Sequence, residues 1–73
     1  MSDPARQQFR QSMQDRINQL KSALKRFDES EAAYKVVQAG GEDVSQQMEE
    51  LKRERERTLA MIKEAEAQLA NIK

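Results

Sequence analysis

Residues 36–47 read VVQAGGEDVSQQ, and the fold turns on whether Gly40 and Gly41 interrupt one long helix or join two. Glycine is the residue that most readily takes the left-handed conformation closing a helix. Gly40 is therefore expected to end helix one, with Gly41 loosening the link. Asp43 followed three residues later by Gln46 has the form of a capping box, which would open a second helix there. A link this short forces the two helices antiparallel.

Outward from the turn, both arms carry helical periodicity. Phe9, Met13, Ile17, Leu20, Leu24, Phe27, Tyr34 and Val37 recur at steps of three, four or seven, with Glu31 in the one skipped place. Val44, Met48, Leu51, Ile62, Ala65, Leu69 and Ile72 repeat that rhythm, with Arg55 and Thr58 where apolar residues would stand. Steps averaging about 3.5 residues are those of helices that wrap around a neighbour. The expected fold is all-α, a coiled-coil-like antiparallel two-helix hairpin forming one domain over 1–73. Helix one spans about 4–39, the turn 40–42 and helix two about 43–73. Pro4 suits a first helical turn, with Ser2 or Asp3 as its cap. Asp28 and Glu31 resemble a second capping pair, but the stripe keeps its phase from Phe27 to Tyr34, so helix one is expected to continue through Asp28.

In this register, facing residues have numbers adding to about 81 or 82. Val37 then meets Val44, Tyr34 meets Met48, Leu20 meets Ile62, Met13 meets Leu69 and Phe9 meets Ile72. The charged intruders Glu31 and Arg55 fall about one turn apart across the seam, where an ion pair would penalise slipped registers.

The run Thr58–Ile62, TLAMI, does not fit a single seam. Its four consecutive apolar residues, Leu59–Ile62, sweep about 300° of a helix, so of these only Ile62 belongs to the hairpin interface. Leu59 and Met61 flank it on opposite sides, Ala60 points away, and Ala23 is a small apolar residue at the same level of helix one. Burying a large apolar side chain is worth about 1.5 to 3 kcal/mol. A chain of 73 residues without cysteine has few other sources of stability. Leu59, Ala60, Met61 and Ala23 are therefore the expected interaction surface. The expected partner is a second copy, giving a homodimeric four-helix bundle, or a helix of another protein.

Composition argues against most chemistry. The chain has no His and no Cys, so the usual metal ligands and the usual activators of a hydroxyl nucleophile are missing. AGGED is not a phosphate loop, and no Glu-x-x-His pair is present. No enzyme activity, cofactor or metal is expected. Basic and acidic residues balance at 13 each, and KRERER, Lys52–Arg57, interleaves Arg with Glu, which suits a solvated helix better than nucleic acid. A basic row on helix one, Arg6, Arg10, Arg16, Lys21, Lys25 and Arg26, leaves a small dimeric nucleic-acid-binding or regulatory protein as an alternative. No apolar run is long enough to span a bilayer, and MSDPARQQF lacks a signal-peptide pattern, so a cytoplasmic protein is expected. In plan, a helix, a Gly-Gly turn and a helix within about seventy residues, the chain is similar to the small co-chaperones of type III secretion needle subunits. That likeness concerns arrangement, and no residue's role follows from it. The functional expectation is a protein–protein interaction module: a small adaptor, chaperone or assembly subunit, or a self-assembling structural subunit.

Overall fold

The computed structural model describes residues 3–72; the Ser2 cap and Lys73 lie outside it. Two helices, α1 (Asp3–Ala39) and α2 (Ser45–Ala70), pack against each other as a hairpin, and no strand occurs among the described residues. At 1.5 Å per residue, 37 residues give α1 a length of about 55 Å. That accounts for a Cα envelope of 59 × 15 × 11 Å. The radius of gyration is 17.1 Å, against roughly 11 Å for a compact chain of this length, so the molecule is a rod with a single layer of core.

The core follows the seam. Met13, Ile17, Val44, Leu51, Ile62 and Ala65 are buried, and Ile17 is the most enclosed. Met13, Ile17 and Ala65 form one cluster, with Leu69 packed on it. On α2 the positions Val44, Met48, Leu51, Arg55, Thr58, Ile62, Ala65, Leu69 and Ile72 alternate steps of four and three without a break. Thr58 is buried in its place despite its hydroxyl. Arg10 Nη2 donates to the Ile72 carbonyl at 3.4 Å, which fixes the open end in register. The first two turns of α1 consequently extend past Ile72, and Phe9 remains 43% exposed. α1 runs unbroken through Asp28.

The turn differs from expectation in which glycine does what. Gly41 N–H donates to the Gln38 carbonyl at 3.0 Å, and Glu42 N–H to the Val37 carbonyl at 3.4 Å. This is the Schellman pattern with Gly41 as the left-handed residue. Gly41 has φ of +100°, whereas Gly40 continues the helix, its N–H on the Val36 and Val37 carbonyls. The capping box at Asp43 and Gln46 does not form. Asp43 Oδ1 accepts the Ser45 N–H at 3.0 Å and the Ser45 hydroxyl at 2.6 Å, while Gln46 Nε2 donates to Glu50 Oε1. The N-cap is Val44, whose carbonyl accepts the Met48 N–H and whose side chain is only 6% exposed. Burying Val44 displaces Asp43 one place outward, so the helix opens at Ser45 and the carboxylate braces the turn from outside it. Val37, beside the turn, is 38% exposed.

Candidate protein-contact surface

Two groups of residues stand out: a charge cluster across the seam and the apolar side chains that the seam leaves uncovered. Arg55 occupies a seam position, where α2 carries it toward α1. Its Nη2 lies 2.7 Å from Glu31 Oε2 and 2.9 Å from Asp28 Oδ1. That nitrogen is enclosed by protein, yet its N–H bonds are not aligned on either oxygen, so the attraction is mainly between charges. Glu31 also takes Lys35 Nζ at 3.1 Å on its other oxygen. The Lys35 hydrogen bond, then the attraction of Arg55, hold the Glu31 carboxyl below its ordinary range. The Asp43 carboxyl is likewise lowered, by the Ser45 hydroxyl and then the Ser45 N–H.

Beside this cluster an open groove has an apolar floor of Met48 and Leu51 and a rim of Glu31, Glu49, Lys52 and Arg55. Arg55 already faces two carboxylates there, which leaves it poorly placed to hold an anionic ligand. Among the described residues no group of three His, Cys, Asp or Glu side chains is arranged to hold a metal ion. No helix is long and apolar enough to cross a membrane among those residues.

The TLAMI residues divide between the two flanks of the hairpin. Met61 lines a groove with Met13, Arg16, Glu64, Ala65 and Gln68. On the other flank a second groove is lined by Gln14, Ile17, Lys21, Glu66, Leu69 and Ala70. Lys21 Nζ and Glu66 Oε2 approach to 3.9 Å there. Leu59 is seven residues before Glu66 and so shares that charged flank; it is 48% exposed. Ala60 is exposed on the back of α2, and Ala23 and Met61 are half-buried. Ala23 stands seven residues beyond Arg16, which places it on the Met61 flank. The four residues therefore do not make one patch.

No family model matches the chain, and neither a curated protein nor a solved structure is significantly similar to it. The functional reading rests on the residues themselves.

Sequence reasoning missed Val36, the most exposed large apolar residue at 73%. Its signal was the doublet Val36–Val37, of which only one member can lie on a stripe. The basic row of α1 is partly engaged within the hairpin. Arg10 reaches the Ile72 carbonyl, Lys21 reaches Glu66, and Arg6 stands 3.9 Å from Asp3.

Proposed function

We propose that the chain is a non-enzymatic module that works through protein contacts, as a small adaptor, chaperone or assembly subunit, with a second copy of itself as the first partner. One observation carries the reading: a single-layer hairpin leaves Leu59, Val37, Val36 and Phe9 between 38% and 73% exposed, and Met61 in an open groove. Isolated exposed apolar residues are ordinary, but a 73-residue chain has little other apolar surface to bury. The absence of His and Cys from the sequence and the open form of its grooves agree with a role in binding rather than catalysis. A nucleic-acid role fits less well, because three of the basic side chains on α1 already have partners within the chain.

Charged substitutions at Leu59 and Met61 test the reading. Loss of an oligomer together with loss of helicity is the outcome expected for self-association. Loss of a bound foreign helix from a chain that stays folded would mark an adaptor. Unchanged association and unchanged folding in both variants would overturn the proposal.

A further inference from the structure

We infer that the hairpin has a second folded state: the turn at 40–44 straightens into helix and two copies exchange α2, giving an antiparallel pair of continuous helices that cross at Gly41. The inference concerns the seam rather than the flanks, so it stands apart from the contact role proposed for Leu59 and Met61.

Residues that face each other across the hairpin are equidistant from Gly41. Arg10 and Ile72, whose carbonyl it holds, each stand thirty-one residues away. Ile17 and Ala65, in one buried cluster, each stand twenty-four away, and Met13 and Leu69 twenty-eight. Two straight chains laid antiparallel with Gly41 on Gly41 therefore set α1 of each copy against α2 of the other in the register the hairpin already uses. Arg55 then meets Glu31 of the other copy in place of its own. The contacts of the seam are kept, and only their chain of origin changes.

Exchange also requires the seam faces of α1 and α2 to lie on one side of a continuous helix. Tyr34 and Met48 are two heptads apart and Val37 and Val44 one, so Tyr34, Val37, Gly41, Val44 and Met48 alternate steps of three and four across the turn. The two seam faces share the row of Phe27, Tyr34, Met48 and Arg55 and differ by about 50° in direction, which overwinding of the helix at the centre takes up. Val37, 38% exposed in the hairpin, gains cover, since it and Val44 flank Gly41 on the side turned to the other copy. Glycine at the crossing has no Cβ, so the helices can approach closely there.

The turn itself offers little resistance. Gly41 is the one described residue with positive φ, and a Cβ built on it would meet nothing within 4 Å, so no side chain packs it in place. Pro4 is the chain's one proline, so each amide from 41 to 45 can donate to the carbonyl four residues before it. Those bonds replace the helix cap at Gly41 and Glu42 and the brace between Asp43 and Ser45. Short hinges of this kind favour exchange. The poor helix propensity of Gly40 and Gly41 and the entropy of association oppose it. Because the two states differ only at 40–44 and in the number of chains, concentration sets the balance between them.

The chain has no cysteine, so a cysteine pair reports which α2 each α1 packs on. Leu20 and Ile62 face each other, each twenty-one residues from Gly41. Leu20→Cys with Ile62→Cys, oxidised at rising chain concentration with helicity checked in the reduced form, is expected to give a growing share of a linked species of twice the 8.5 kDa chain mass. Leu20→Cys alone should stay unlinked, because its two copies lie about 63 Å apart along the pair. Adding Gly41→Ala, which disfavours the turn and favours helix, should produce the same share at an at least about tenfold lower concentration. Without any cysteine, Gly41→Ala should scatter X-rays as a particle about 100 Å long, against 59 Å for the hairpin. Disulfides formed within single chains at every concentration overturn the exchange, as does equal linking by Leu20→Cys alone or a Gly41→Ala particle that keeps the hairpin's length. A species of twice the chain mass whose disulfides lie within each chain also overturns it, while leaving the protein-contact reading in place.

Discussion

Arg55 Nη2 stands 2.7 Å from Glu31 Oε2 across the hairpin, at a seam position where every heptad rule asks for an apolar side chain. An ion pair there adds little net stability, because bringing the charges out of water offsets most of their attraction. Its effect is on register. A slip of one turn would leave Arg55 facing apolar neighbours and Glu31 without it.

Replacing Arg55 by Leu is accordingly expected to raise the thermal midpoint, since it completes the α2 stripe between Leu51 and Thr58. Arg55→Leu should also broaden the distribution of helix registers. Melting followed by circular dichroism, with distances between spin labels on the two helices, reads both effects. A sharply lowered midpoint would show that the pair contributes stability rather than register.

The pH response follows from the lowered carboxyls of Glu31 and Asp43. A carboxylate with a depressed folded value stabilises the fold fully above its unfolded value, here 4.5 and 3.8, and loses that contribution as pH falls through the lower folded value. Helicity should hold at neutral pH and fall in the acid range below about 4. Glu31→Gln should flatten the upper part of that fall, and Asp43→Ala the lower part. An acid titration with the same shape in both variants would show that neither group matters.

At the turn, Gly41 has a φ of +100° that L side chains rarely adopt, so Gly41→Ala should destabilise the hairpin by about 1 to 2 kcal/mol. Gly40→Ala should do less harm. Its added Cβ meets the Val37 carbonyl at 3.3 Å, a contact that a shift of a few tenths of an ångström relieves. Denaturant unfolding of the two variants decides which glycine closes the helix.

The seam was legible because periodicity reports helix faces directly: the α2 rhythm runs from Val44 to Ile72 through Arg55 and Thr58 with no change of phase. The glycine roles were not legible, because either glycine can adopt positive φ and the choice depends on which carbonyls of the last turn are left to cap. The opening of α2 was misread for a related reason. Asp43 and Gln46 have the right types and spacing for a box, but the buried Val44 between them governs the backbone. The interaction surface was half legible. Wheel geometry separates Leu59 from Met61, yet only the grooves lined by Arg16 and Lys21 show which α1 row accompanies each.

Ile17, 2% exposed at the centre of the Met13 and Ala65 cluster, should be the most sensitive core position. Ile17→Ala is expected to destabilise by about 2 to 5 kcal/mol, enough to leave so thin a core largely unfolded in isolation. Leu59→Ala, on the charged flank, should change stability far less. Equal effects of the two in thermal melts would mean that the seam is not the core.

The most direct test of the account is sedimentation equilibrium of the unmodified chain over a wide dilution series, with helicity recorded on the same samples. The expected result is a species of twice the 8.5 kDa chain mass that dissociates on dilution while losing helical signal. A single 8.5 kDa species that keeps its full helical signal throughout would contradict the claim that this hairpin is completed by protein contact with its own copy.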